Sequence, residues 1–177
     1  MKKISFAVKF LCFIVLCFLS SSSSAIMKGL STEELTKASD IVIVGEVENT
    51  EAQWSKDGKT IFTSAYILIN TVIKGMTSQA RIIVEYEGGE IGDIGLKVSD
   101  QSPLLKGEKV ILFLRSGKSK KDGGGAYNIV GKGQGKYLID ADGIARKSGF
   151  SIAGGKEDID NNIPVDKLIE KINKIEQ

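Results

Sequence analysis

Three carboxylates, Glu87, Glu90 and Asp93, lie within a stretch reading EGGEIGDIG, interleaved with Gly88, Gly89, Gly92 and Gly95. Carboxylates suit hard cations and sugar hydroxyls, and glycines let a backbone come close to a ligand. Glu87, Gly88, Gly89, Glu90, Gly92 and Asp93 are therefore the candidate ligand-binding residues. Two acids at a set separation are also enough for glycoside hydrolysis, so a carboxylate-based hydrolase acting through Glu87 to Asp93 is one reading. A plainer reading is preferred, because the motif constrains so little: a bulged, glycine-kinked strand at a barrel corner with solvated acids.

What is missing narrows the chemistry further. The chain of 177 residues contains no histidine. That excludes Ser-His-Asp and Cys-His nucleophile systems and every His-ligated zinc or haem site. Its only cysteines are Cys12 and Cys17. No cofactor is called for, and no metal site.

Other spacings fail on inspection. Asp158, Asp160 and Asn162 have the first three positions of a calcium loop, but Ile163 stands where the turn needs glycine, and Ile169 where a bidentate Glu belongs. Asp140-Ala141-Asp142-Gly143 fails likewise at Ile144. Gly131-Lys132-Gly133-Gln134-Gly135-Lys136 lacks the Ser or Thr and the helix of a phosphate loop, and reads as a kinked strand or bulge. Lys118, Lys120 and Lys121 read as a solvated hairpin tip beside Gly123-Gly124-Gly125. Trp54, Phe62 and Tyr66 offer an aromatic stripe or ordinary sheet packing.

The elements that must position these residues are mostly strands. Ile41-Val42-Ile43-Val44 is apolar on both faces and gives way to alternation through Gly45-Glu46-Val47-Glu48. Asp57-Gly58 signals a type I′ hairpin into a long strand over 60–73. Further strands are expected over 81–86, 109–115, 127–130, 136–139 and 144–146, with a strand-like trace at Leu96-Lys97-Val98 inside the long 87–107 connection. Ser31-Thr32-Glu33-Glu34 is a capping box that opens a short helix ended by Asp40. Pro164 suits the first turn of a C-terminal helix whose Val165, Leu168, Ile169, Ile172 and Ile175 share one face. Its charges are mixed, so it docks on the sheet rather than on a membrane. The fold expected is mainly β, an antiparallel small barrel, OB-like, with a short N-terminal helix and an amphipathic C-terminal helix.

Residues 1–25 read as a signal peptide: Lys2 and Lys3, an apolar run over 10–19, then serines ending in Ser23-Ser24-Ala25. Retention as an N-terminal anchor is the alternative. Cleavage removes both cysteines, three lysines and no acid, so 24 basic residues fall to 21 against 22 acidic. The mature net charge of −1 gives no reason to expect nucleic acid. Without disulfides, the barrel domain over 26–162 and the helix over 163–177 must hold together by their core.

Six stretches carry a resemblance. They are Ala38-Ser39-Asp40-Ile41-Val42-Ile43-Val44-Gly45-Glu46-Val47, Trp54-Ser55-Lys56-Asp57-Gly58, Val72-Ile73-Lys74-Gly75, Glu87-Gly88-Gly89-Glu90-Ile91-Gly92, the 107–114 segment GEKVILFL and the 130–137 segment VGKGQGKY. Together, over about residues 31–145, they resemble a module of exported bacterial proteins. The order of strands also resembles the OB-like barrel of netrin and metalloprotease-inhibitor modules. This chain lacks the cysteines of those modules, so the resemblance implies fold and export, and no activity. The function expected is an exported, non-catalytic binding module, secreted or periplasmic, whose partner is a protein or polysaccharide of the envelope. The alternative to it, besides the hydrolase, is an accessory or inhibitory partner of a secreted protease.

Overall fold

The computed structural model describes residues 27–149, 152–153 and 159–177. Residues 1–25, read from the sequence as a signal peptide and holding both cysteines, and Asp158 lie outside them. No described helix is long and apolar enough to cross a membrane.

The chain is mainly β. In order it forms β1 (Met27–Lys28), α1 (Thr32–Ala38), β2 (Ile41–Trp54), β3 (Ile61–Lys74), β4 (Arg81–Glu87), β5 (Gly89–Ile91), β6 (Ile94–Leu96), β7 (Lys109–Lys118), β8 (Gly125–Ile129), β9 (Lys136–Ile139), β10 (Ile144–Arg146), β11 (Ile152–Ala153), β12 (Ile163–Pro164) and α2 (Val165–Ile175). Eight of the strands share one sheet in the order β12-β10-β9-β7-β2-β3-β4-β8, with β7 also paired to β8. β1–β11 and β5–β6 form two small sheets of their own.

The doubly apolar runs explain the layering. Along β2 and β7, successive side chains point to opposite faces. Ile41, Ile43, Val47, Val110, Leu112 and Leu114 enter one core with Ala65, Ile67, Val84 and Leu104. Val42, Ile111 and Phe113 enter a second core with Leu35, Tyr137, Leu168 and Ile172. The two helices cover that second face. Leu168 and Ile172 are fully buried, and each full burial stabilises by about 1.5–3 kcal/mol.

The capping box is formed at α1: Ser31 Oγ accepts from the Glu34 N–H at 3.1 Å, and the Ser31 N–H donates to Glu34 Oε2 at 2.9 Å. Three local readings differ in detail. The β2–β3 turn is wider than a two-residue type I′ turn: the Ser55 N–H donates to the Thr60 carbonyl, and Gly58 takes a positive φ while Asp57 does not. The 132–135 segment is a 3-10 turn rather than a kinked strand. It tightens because a Cβ at Gly135 would stand 2.2 Å from the Val130 carbonyl. Pro164 sits just before α2 as its N-cap, since β12 holds it against Ile144.

Candidate functional site

The 87–107 connection is more ordered than its length and composition suggest. β5 and β6 form a hairpin whose turn opens at Gly92, φ 58°, as suits a first central turn position. The strand-like trace at Leu96-Lys97-Val98 lies two residues later than the strand observed, Ile94–Leu96. Gly88 and Gly89 have φ of 108° and 131°, open to glycine at little cost. A Cβ at Gly89 would lie 2.5 Å from Thr63 Oγ1 and 2.9 Å from the Ala52 Cβ. The close approach that Gly89 permits is thus to β2 and β3, while a Cβ at Gly88 would stand 3.0 Å from the Leu96 carbonyl oxygen. Thr63 Oγ1 donates to the Gly88 carbonyl at 2.7 Å, and the Gly88 N–H donates to the Ile61 carbonyl at 2.9 Å.

Pressing the hairpin onto β2 and β3 leaves a cleft between it and the 97–105 segment. Its cavity is about 760 Å³, within the range of roughly 300–1,000 Å³ usual for ligand sites. Tyr86 lies at its base, with its hydroxyl accepting from the Leu104 N–H at 3.1 Å; burial raises its pKa above the ordinary phenol value. The far wall is anchored by a buried ion pair. Lys136 Nζ donates to Glu108 Oε2 at 2.7 Å and to the Pro103 carbonyl at 2.6 Å, while Glu108 Oε2 also accepts from the Leu105 N–H.

Of the candidate residues, Glu87, Gly88, Gly89 and Glu90 line this cleft. Gly92 and Asp93 form the hairpin turn instead. Glu87 is engaged by Lys120 Nζ at 3.2 Å. Glu90 is exposed, and its chain lies over Gly95. Sequence reasoning missed Gln101, which lines the cleft and whose Nε2 is closed to solvent with no hydrogen-bond partner among the described residues. No local pattern marks it, because burial of a single polar atom is set by tertiary packing. Leu96 and Leu105, 37% and 59% exposed, supply the apolar rim.

The other motifs resolve into structure. Glu85, 2% exposed on the outer side of β4, accepts from Ser119 Oγ and the Lys120 N–H, both at 2.7 Å. That pins the lysine-rich β7–β8 turn and sets Lys120 beside Glu87. The aromatic stripe does not form: Trp54 pairs with Ile61, so Phe62 falls on the opposite face. Asp160 accepts from Thr32 Oγ1 and from Lys171 Nζ, and Asn162 Oδ1 accepts from Arg146. Among the described residues, no group of three or more acids is placed to hold a metal.

A second polar cluster sits in the helix-covered core. Lys147, 6% exposed, holds Nζ 4.5 Å from the centre of the Tyr137 ring and has no acceptor within hydrogen-bonding distance among the described residues. Burial pulls its pKa down to about 8, against the pull of Asp160. Burial pushes the Tyr137 hydroxyl well above its ordinary value. Burial also raises Asp160, but hydrogen bonds from Lys171 and Thr32 outweigh it and leave that carboxyl below its ordinary range.

Comparison with family models, curated proteins and solved structures finds no match to this chain.

Proposed function

We propose that the protein is an exported, non-catalytic binding module, and that its ligand enters the cleft between the β5–β6 hairpin and the 97–105 segment. The observation that carries this reading is Gln101 at the cleft, its buried Nε2 without a partner among the described residues. A buried donor without an acceptor costs about 1–3 kcal/mol, and a ligand carbonyl would remove that cost. The engagement of Glu87 by Lys120 supports binding over the carboxylate hydrolase, whose acid must be free to meet substrate. The OB-like barrel belongs to the same proposal. It is supported by the pairing of β7 with β2, β2 with β3, β3 with β4, β4 with β8 in parallel, and β8 back to β7. The N-terminal signal pattern supports an envelope or extracellular partner, protein or polysaccharide.

The test is retention of envelope material by the immobilised protein. Leu105→Asp and Gln101→Ala are expected to lose material that the wild type and Met76→Asp keep, Met76 being 94% exposed away from the cleft. Equal retention by all four would end the cleft reading.

A further inference from the structure

β2 outruns its neighbour on one side. Its first half pairs with β7 from Ile41↔Leu114 to Glu46↔Lys109. The last bonds on that side run from the Val47 N–H to the Glu108 carbonyl and from the Gly107 N–H to the Val47 carbonyl. β2 then runs on to Trp54 with β3 as its one strand partner among the described residues.

The ladder fixes where the main-chain groups of this extension point. The Ser55 N–H donates to the Thr60 carbonyl, and the Gly88 N–H donates to the Ile61 carbonyl on the far side of β3. Bonded and non-bonded pairs alternate along antiparallel strands. Gln53↔Phe62 and Glu51↔Ser64 are therefore bonded pairs, whereas Trp54↔Ile61, Ala52↔Thr63 and Thr50↔Ala65 are not. The N–H and C=O groups of Thr50, Ala52 and Trp54 thus point away from β3, and among the described residues no hydrogen bond reaches them. They recur at about 7 Å, the two-residue repeat of a strand. Such an edge accepts an added strand, through main-chain bonds that give affinity and alternate side chains that give specificity. An acyl chain would leave these groups unsatisfied.

The edge belongs to the cleft, since Thr50 and Ala52 line it. Their side chains stand on the face where Gly89 closes on Ala52 and Thr63. A strand laid beside β2 turns every second side chain to that face, where Leu96, Val98, Leu104 and Leu105 supply apolar lining. Charge favours an acidic segment. Lys97 lines the cleft, Lys106 stands where the chain leaves β2, and Lys56 and Lys59 follow Trp54 in the turn. All four are exposed, and their ammonium groups form no ion pair with a described residue. Glu87 is engaged by Lys120, Asp57 by Ser55 and Glu51 by Tyr66, which leaves Glu90 as the acid of the lining without an ion pair among the described residues.

Resting on the cleft reading, we infer that the occupant is an extended segment of another polypeptide that adds a strand to the outer edge of β2 over 50–54. The segment is apolar at alternate positions and acidic between them. Gln101 Nε2 donates to one of its carbonyls.

The experiment follows amide signals and amide hydrogen exchange of the isotope-labelled full chain by nuclear magnetic resonance. The probe is a pool of octapeptides with Val, Leu, Ile or Phe at alternate positions and Asp or Glu between them. Parallel samples hold the pool N-methylated at its apolar residues, the pool N-methylated at its acidic residues, a pool with Lys in place of the acids, decanoate, and an N-acetylglucosamine tetramer. In the free chain the N–H groups of Glu51 and Gln53 are expected to exchange slowly, and those of Thr50, Ala52 and Trp54 fast. The acidic pool is expected to slow the second set by about tenfold or more. One of the two N-methylated pools, the one whose methyl groups face β2, is expected to bind about tenfold or more weakly than the parent. Lys97→Glu with Lys106→Glu should abolish the preference for the acidic pool over the Lys pool, and its persistence would overturn the acidic assignment. No slowing at Thr50, Ala52 and Trp54, or equal binding of the parent and both N-methylated pools, overturns the inference. In that case a shift of the Leu96, Gln101 or Leu105 signals by decanoate or the tetramer keeps the cleft as a site for a different ligand. If no probe shifts the cleft and Leu105→Asp still retains envelope material, both readings fall.

Discussion

Replacing Lys147 with methionine tests whether a buried ammonium governs the stability of the helix-covered core. The side chain is 6% exposed, and burial pulls its pKa from 10.5 to about 8. The 2.5-unit difference corresponds to about 3 kcal/mol at full expression. The sign follows from proton counts. Between pH 8 and 10.5 the unfolded chain holds this proton more firmly than the native protein, so stability rises with pH across that window. Burial dominates at this amine, with Asp160 favouring its charged form and Lys171 opposing it. Tyr137 and Tyr86 are both shifted upward, so above about pH 10 their ionisation in the unfolded chain works against stability. The useful range is therefore pH 7 to 9.5, over which the wild type should gain about 2 kcal/mol. Lys147→Met should show no such rise. At pH 7 it should equal or exceed the wild type by up to about 1 kcal/mol, since relief of the buried charge is offset by loss of a cation–π contact worth about 2 kcal/mol when desolvated. Urea unfolding followed by far-ultraviolet circular dichroism at several pH values provides the measurement. A wild type whose stability is flat or falls from pH 7 to 9.5, or a variant that keeps the rise, would refute the reasoning.

Two further outcomes follow from packing. Leu168→Ala removes a fully buried side chain from the face where α2 docks, and should lower unfolding stability by about 2–5 kcal/mol in urea. Glu108→Leu leaves the Lys136 ammonium, with a 6% exposed side chain, without its counter-charge, and should cost about 3–5 kcal/mol by the same measurement. It should also raise hydrogen exchange in the 103–108 segment, because Glu108 holds the Leu105 N–H there; unchanged exchange would separate the ion pair from the shape of the cleft.

Much of the architecture was legible in the order of residues. The capping box at Ser31, the 109–115 strand and the spacing of Leu168 and Ile172 are local patterns, and local patterns report which face an element buries. The candidate site was legible only in part. Glu87, Gly88, Gly89 and Glu90 line the cleft, and the glycine-kinked strand preferred from the sequence is met at Gly89, which admits the close approach of β2 and β3. Gln101 carries no signal in its neighbours, since a polar residue between Asp100 and Ser102 looks like any solvated loop.

The sequence by itself determined the long strands, the two helices and the exclusion of imidazole chemistry, because periodicity, caps and the absence of histidine depend on residue types and short spacings alone. Tertiary structure decided which polar groups lost their water. Lys147 lies against Tyr137, ten residues back along the chain and across a turn, and Gln101 Nε2 is closed to solvent. Lys136 finds Glu108 across 28 residues. Desolvation is a property of everything that packs around a group, and no stretch of sequence contains that information locally.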